Sequence, residues 1–162
     1  MTTSKSSSAL LRVPRESDKP VVLCVDDDGA VLSSLRRLFR GEPYEVVTTM
    51  SPAQALACLR RRPVSVVISD ERMPGTSGSE FLAEVRERWP WIGRVILTAY
   101  PGHEVMVRGL RAGIDFLLFK PWDGESFKRT IVRLVAVVAR TPRTLNAEAA
   151  SDETHDLGGE GG

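Results

Sequence analysis

Two patterns of hydrophobic positions alternate along the middle of the chain. Short apolar runs such as 21–25 and 64–69 are typical of strands that are buried on both faces of a sheet. Between such runs, apolar residues recur every three or four positions, as over 31–39, which predicts helices with one buried face. We therefore predict strands over 21–25, 44–49, 64–69, 94–97 and 116–119, and helices over 31–39, 52–62, 80–89, 103–112 and 125–139.

Local signals mark several helix ends. Ser51, Pro52 and Gln54 are typical of a helix start, with a capping hydroxyl, a proline in the first turn and a glutamine three residues after the cap. Pro63 ends that helix, and Gly113 suits the end of the fourth. The strict alternation predicts an α/β fold, a doubly wound five-stranded parallel sheet with five helices on its two faces.

Composition favours one folded domain with polar ends. Hydrophobic residues make up 42% of the chain and charged residues 27%, as in ordinary globular proteins. We expect the domain to span 20–139. The Ser-rich segment 1–19 and the acidic, Gly-rich segment 140–162 have few large apolar side chains, so we expect both to be disordered tails.

Charge and cysteine content exclude several classes of protein. The chain has 22 Lys and Arg against 21 Asp and Glu, so a nucleic-acid binder that relies on a large overall positive charge is not expected. Its apolar runs are too short for a membrane span or a secretory signal. Cys24 and Cys58 lack metal-ligand spacing, so we expect free thiols in a reducing cytoplasm.

Candidate chemistry lies directly after the predicted strands. In an open parallel sheet, the carboxyl ends of the strands meet at one edge, where ligands bind. Converging carboxylates repel one another unless a cation joins them, and Mg²⁺ suits such oxygen ligands. A lysine and a hydroxyl beside them would complete a site for a phosphoryl group, which a carboxylate could attack. The polar residues at the strand ends are Asp26, Asp27, Asp28, Asp70, Thr98 and Lys120. Of these, Asp28 also fits the start of the first helix.

Four motifs carry a resemblance to a known family. In chain order they are VVLCVDDD, VVISDERMPGTSGSEFL around Asp70, ILTAY at Thr98 and FLLFKPWD at Lys120. Their sequence and spacing resemble the receiver domain of two-component response regulators over about 20–139. The resemblance implies a flavodoxin-like (βα)5 fold. It also implies a protein that is a phosphoacceptor switch rather than an enzyme, with only self-phosphorylation and slow self-dephosphorylation chemistry.

The resemblance implies a role for each acidic residue. Asp70 would accept a phosphoryl group from a phosphohistidine of a sensor histidine kinase or phosphotransfer protein. Mg²⁺ would be bound directly by Asp27 and Asp70, by Asp26 mainly through a water, and by the backbone carbonyl of Arg72.

Arg72 and Tyr100, each two residues beyond a site residue, would flank the path by which water reaches the acyl phosphate.

Other residues would respond to the phosphoryl group. Thr98 would move toward it, and Lys120 would pair with it, and with Asp70 before transfer. The Lys120–Pro121 bond would be cis, and Gly78 would provide the turn into the third helix.

One position departs from the family pattern and bears on output. An aromatic residue is usual three residues before the lysine, where this chain has Leu117, and Phe116 lies on the opposite face of the strand. We therefore expect the signal to travel mainly through the loop and helix after Thr98. By the resemblance, a downstream protein would bind the face formed by helix 4, strand 5 and helix 5. The unusually apolar run 131–139 makes a homodimer an alternative occupant.

Two other functions remain open at this point. A receiver-like scaffold that is never phosphorylated would use the same fold for binding alone. Alternatively, Asp26 and Asp28 match the DxDG opening of haloacid dehalogenase-like phosphatases, in which Asp26 would be the nucleophile and Asp28 the acid/base. That family needs a later acidic pair, which no predicted strand supplies. The chain could also be a fragment of a longer regulator.

Overall fold

Strands and helices alternate along the chain as the hydrophobic pattern predicts. The computed structural model describes residues 19–100 and 102–141. The strands are β1 (Val21–Val25), β2 (Glu45–Thr49), β3 (Val64–Asp70), β4 (Gly93–Thr98) and β5 (Phe116–Phe119). The helices are α1 (Gly29–Leu38), α2 (Pro52–Arg61), α3 (Gly78–Arg88), α4 (His103–Ala112) and α5 (Gly124–Arg140). The segments predicted as tails lie almost entirely outside the described residues.

The element boundaries differ from prediction by a few residues, and side-chain caps explain the largest shift. Helix α3 begins two residues earlier than expected because Ser77 caps it. The Ser77 hydroxyl accepts from the Glu80 amide at 3.1 Å, and the Glu80 carboxylate accepts from the Ser77 amide at 2.8 Å. Ser51 caps α2 as predicted, and Gly113 follows α4 in the left-handed conformation with φ of 66°.

The five strands form one parallel sheet with the order β2-β1-β3-β4-β5. The predicted fold class is therefore confirmed. One apolar cluster packs on the face covered by α1 and α5, and includes Phe39, Phe127 and Ile131. The second packs under α2 and α3, and includes Phe81 and Leu82. Among the described residues, no helix combines the length and apolar character needed to cross a membrane.

The two cysteines are free thiols in different surroundings. Cys24 lies in the middle of β1 and is fully buried, whereas Cys58 on α2 is half-buried. Burial raises the pKa of the Cys24 thiol to about 12, so it stays protonated near neutral pH. Cys24 is therefore a core residue rather than a reactive nucleophile.

Candidate functional site

Four strands deliver polar side chains to the carboxyl edge of the sheet. Asp26 follows β1, Asp70 ends β3, Thr98 ends β4 and Lys120 follows β5. Strands β1 and β3 are hydrogen-bonded neighbours, so Asp26 and Asp70 come side by side although they are far apart in sequence. All three of Asp26, Asp70 and Thr98 are buried. The fold thus brings the ends of these four strands to one edge of the sheet, with Lys120 in hydrogen-bond contact with both Asp26 and Asp70.

Lys120 joins the two buried carboxylates. Its Nζ donates to Asp70 Oδ1 at 2.8 Å and to Asp26 Oδ2 at 2.9 Å. Burial alone would lower the pKa of Lys120, but the hydrogen bonds to Asp70 and Asp26 outweigh it, and the pKa is raised. Lys120 is therefore cationic near neutral pH and lies within reach of any group added to Asp70. The peptide bond from Lys120 to Pro121 is cis, as the resemblance implied.

The acidic side chains form a set that fits a divalent metal ion. One carboxylate oxygen from each of Asp26, Asp27 and Asp70 lies within 4.8 Å of the others. Burial raises the pKa of the Asp26 carboxyl, although the Asp28 amide and Lys120 oppose this through hydrogen bonds. A single lysine opposite three carboxylates leaves excess negative charge, which favours a cation. All three candidate metal ligands are carboxylate oxygen atoms, the hard ligands that Mg²⁺ prefers.

The third aspartate of the run, Asp28, caps a helix and forms hydrogen bonds that involve the backbone. Asp28 is the N-cap of α1, and its Oδ1 accepts from the Ala30 amide at 2.8 Å. Its own amide donates to Asp26 Oδ1 at 2.8 Å, which holds the Asp26 carboxylate toward Lys120. Asp28 thus starts the helix, as its position after a strand suggested, and orients Asp26 through its backbone.

Thr98 lies between the acidic pocket and the β4–α4 loop. Its side chain is 1% exposed, and its Oγ1 accepts from the Tyr100 amide at 3.1 Å. Leu117 pairs in register with Ile96 and packs on the cluster under α2 and α3, while Phe116 is exposed. The Thr98 hydroxyl therefore connects the end of β4 directly to the backbone of the β4–α4 loop.

Arg72 and Tyr100 stack on each other beside Asp70. The Arg72 guanidinium lies 3.7 Å from the centre of the Tyr100 ring, a cation–π contact. The Arg72 amide also donates to Asp70 Oδ2 at 2.9 Å. The two residues thus connect the loop after β3 with the loop after β4 beside Asp70. The role of the Arg72 carbonyl as a metal ligand stays a prediction.

Sequence reasoning missed a buried carboxylate next to Asp70. Glu71 is 3% exposed, and its Oε2 accepts from the Ser79 amide at 3.0 Å and the Ser79 hydroxyl at 2.8 Å. Its Oε1 lies 3.8 Å from Arg108 Nη1 on α4. Glu71 therefore anchors the β3–α3 loop to α3 and also connects it to α4. Its place directly after the buried run 64–70 was the available signal for burial.

Asp26 offers a test of the charge balance in this pocket. We expect Asp26→Asn to raise metal-free stability at pH 7, because burial disfavours the Asp26 charge and raises the pKa of this carboxyl. The raised pKa means that the folded chain binds a proton more readily than the unfolded chain. The metal-free stability of the natural chain therefore falls as pH rises from about 4 through the folded-state pKa of Asp26.

The measurement is urea unfolding of both chains with and without Mg²⁺. Mg²⁺ should stabilise the natural chain by about 1.4 kcal/mol at ten times its dissociation constant, and Asp26→Asn much less. An equal Mg²⁺ effect on both chains would contradict a metal-binding role for Asp26.

Comparison with known proteins gives one consistent result. The model of the response regulator receiver domain family matches residues 22–132. The hydrogenase transcriptional regulatory protein HoxA of Cupriavidus necator is 46% identical over 121 residues, which cover 74% of this chain and 25% of that protein. The alginate biosynthesis transcriptional regulatory protein AlgB of Pseudomonas aeruginosa is 31% identical over 137 residues, covering 85% and 30%. The chain thus spans between a quarter and a third of these relatives.

Solved structures agree in fold. The signal receiver domain of an HD domain-containing protein from Pseudomonas fluorescens has a TM-score of 0.74 and 27% identity, with 76% of this chain and 99% of that chain covered. The chemotaxis protein CheY4 of Vibrio cholerae has a TM-score of 0.68 and 29% identity, with 72% and 98% covered.

Proposed function

This chain belongs to the response regulator receiver family, and from that premise we propose that it is a switch phosphorylated on Asp70. The observation that carries the proposal is the position of Lys120, whose Nζ donates to Asp70 Oδ1 and Asp26 Oδ2 within one acidic pocket. A scaffold that is never phosphorylated would have no need for a half-buried lysine and a buried carboxylate aimed at each other.

The pocket residues supply what phosphoryl transfer needs. A carboxylate oxygen of Asp70 attacks the phosphorus of a phosphohistidine whose other ring nitrogen carries a proton. The P–N bond breaks, its electron pair goes to the ring nitrogen, and the neutral imidazole leaves. The product is an acyl phosphate on Asp70. Lys120 turns from the Asp70 carboxylate to the new phosphoryl oxygens, whose charge it balances. The donor is a sensor histidine kinase or a phosphotransfer protein.

Three carboxylates would hold Mg²⁺, namely Asp26, Asp27 and Asp70, together with the Arg72 carbonyl. When bound, Mg²⁺ supplies positive charge to the phosphoryl oxygens and lowers the repulsion between them and the attacking carboxylate. Arg72 and Tyr100 stack on each other beside Asp70, and we expect this stack to limit the access of water to the acyl phosphate, so that self-dephosphorylation is slow.

The β4–α4 loop and α4 carry the signal outward. Thr98 Oγ1 loses its bond from the Tyr100 amide when it turns to a phosphoryl oxygen, and this releases the start of the loop. Leu117 stands where the family usually has an aromatic residue, and it has neither a ring nor a hydroxyl. Movement of the loop and α4 therefore carries the signal in place of the reorientation of an aromatic side chain. The Glu71–Arg108 ion pair then adjusts to the new position of α4.

The face formed by α4, β5 and α5 is the proposed contact surface for a downstream protein. Large apolar side chains are exposed on α4 and β5, with Leu110 at 76% and Met106 at 54%. Strand β5 is also an edge of the sheet, with Phe116 and Phe119 exposed. A patch of exposed apolar side chains of this kind is typical of a surface that binds another protein. A homodimer through the same face is the alternative occupant.

The experiment that tests the proposal is intact-protein mass after incubation with acetyl phosphate, with Mg²⁺ or with EDTA. We expect a gain of one phosphoryl group that requires Mg²⁺ and is lost in alkali, as for an acyl phosphate. Borohydride trapping and peptide mapping should locate it on Asp70. Absence of a gain from acetyl phosphate and from a phosphorylated histidine phosphotransfer protein, with the chain folded, would favour the scaffold function.

A further inference from the structure

The buried carboxylate of Glu71 directs one oxygen toward α4 without forming a hydrogen bond through it. Its Oε2 accepts two hydrogen bonds from Ser79, whereas its Oε1 is buried and has no hydrogen-bond partner among residues 19–100 and 102–141. Arg108 Nη1 lies 3.8 Å from this Oε1, which is within ion-pair range but too long for a hydrogen bond. Because a buried acceptor without a donor is costly, a closer approach of Arg108 would be favourable.

The first half of α4 has room to approach Glu71. A cleft of about 730 Å³ lies between the β3–α3 loop and the start of α4, and its lining includes Glu71 from the loop and Arg108 from the helix. The N-cap of α4 is Gly102, which has no side chain to cap the helix, and residues 102–104 are exposed. The start of α4 can therefore move into the cleft without breaking a side-chain cap.

The other end of α4 is held by two arginines. Arg94, a buried residue of β4, donates from Nε to the Gly113 carbonyl at 2.8 Å. Arg86 of α3 donates from Nη1 to the Arg111 carbonyl at 3.4 Å. Positive charge at the carboxyl end of a helix also interacts favourably with the helix dipole. We therefore expect α4 to pivot about its C-terminal end, with the largest displacement at its start.

We propose that Glu71 binds Arg108 through a hydrogen bond when Asp70 is phosphorylated, and so holds α4 in its switched position. The inference rests on the proposed function, in which Thr98 turns toward the phosphoryl group. Strands β3 and β4 are neighbours, so this turn draws the β4–α4 loop toward the loop after β3, and the start of α4 closes the cleft. Arg108 then donates to Glu71 Oε1 at about 2.8 Å.

Glu71 is thus a positioning residue, which acts on the phosphorylated site through α4. A contact that is stronger in the switched conformation stabilises that conformation. By linkage, the same contact strengthens the binding of any group that favours the switched conformation. Beryllofluoride, which resembles a phosphoryl group when bound to a carboxylate, therefore reports on the contact without a transfer reaction.

The test is the dissociation constant of beryllofluoride in the presence of Mg²⁺, measured on the full chain by NMR from the Tyr100 amide signal. We expect Glu71→Gln and Arg108→Gln each to weaken binding at least about fivefold. The double variant should bind no more weakly than either single variant, since both substitutions remove the same contact. Arg108→Lys keeps the positive charge and should recover most of the affinity.

The variants separate positioning from a purely structural role. Glutamine at position 71 retains an oxygen for the hydrogen bonds from Ser79, and Arg108 is half exposed, so both single variants should fold. Glu104→Gln is the matched control, because Glu104 lies 3.4 Å from Arg108 but is 87% exposed, and it should change the affinity less than about twofold. A purely structural role would lower the free energy of unfolding by urea and leave the dissociation constant unchanged.

The inference and the proposed function fail by different results. Dissociation constants within about twofold of the natural value for both Glu71→Gln and Arg108→Gln would show that α4 is positioned without this contact. Tighter binding in either variant would show that the pair holds the resting position instead, which also overturns the inference. A folded natural chain that binds no beryllofluoride would overturn the proposed function itself, and this inference with it.

Discussion

The Asp70→Asn variant is expected to incorporate phosphoryl groups at least 100-fold more slowly than the natural chain. Asparagine has nearly the same shape as aspartate and retains an oxygen that can accept from Lys120 Nζ, so the pocket should stay folded. Its amide is a far weaker nucleophile than a carboxylate, and no acyl phosphate can form on it. The measurement is the rate of mass gain with acetyl phosphate and Mg²⁺, with circular dichroism to verify folding.

Asp28→Asn is the matched control for this substitution. Asp28 lies in the same acidic run, but its side chain caps α1, and asparagine caps helices equally well. The control should therefore keep the free energy of unfolding close to that of the natural chain. Its rate of phosphorylation should stay within about threefold of that of the natural chain. Incorporation that survives in Asp70→Asn but disappears in Asp26→Asn would contradict the proposed acceptor and favour the phosphatase mechanism.

Replacing Gly78 with alanine is expected to damage both stability and phosphorylation. A Cβ at this position would lie 2.1 Å from the Asp70 carbonyl oxygen and 2.9 Å from its carbonyl carbon. Both atoms are backbone, so no side-chain rotation relieves the overlap. We expect a loss of about 3 kcal/mol in the free energy of unfolding, at the upper end of typical overpacking costs. The melting temperature should fall by about 10 °C.

The same overlap should displace the phosphoacceptor. Because Asp70 must move away from Gly78, its distances to Lys120 and to the acidic cluster change, and a shift of about 1 Å can cost about 100-fold in rate. Gly29→Ala is the control, since nothing lies within 4 Å of a Cβ there and the residue is in the first turn of α1. A Gly78→Ala chain as stable and as reactive as Gly29→Ala would show that the β3–α3 loop is not tightly constrained.

The fold and the strand-end residues could be predicted because their signals are local. The apolar runs, the cap at Ser51 and the glycine at Gly113 each depend on a few neighbouring residues. Asp70 was recognisable because it directly follows a run that is buried along its whole length. Once a parallel sheet is inferred, the rule that its carboxyl ends meet at one edge brings Asp26, Asp70 and Lys120 together.

The remaining features depend on distances between elements, which local signals do not contain. Glu71 reads as an ordinary acidic residue in sequence, yet it is buried and connects Ser79 of α3 with Arg108 of α4. The need for glycine at position 78 likewise comes from the approach of α3 to the Asp70 carbonyl. Arg62, at the end of α2, likewise lies beside Trp89 and Trp91 only because α2 and the connection from α3 to β4 pack together.

The order of strands and helices, the α/β class and the residues at the strand ends follow from local patterns in the sequence, since hydrophobic period and capping act over one or two turns. Which charges meet, and at what distance, depends on how the elements pack in three dimensions. Lys120 bridges Asp26 and Asp70, Arg72 stacks on Tyr100, and Arg108 reaches Glu71. Such contacts follow from how helices pack on the sheet, because electrostatic and packing energies depend on separations of a few ångströms between residues remote in sequence.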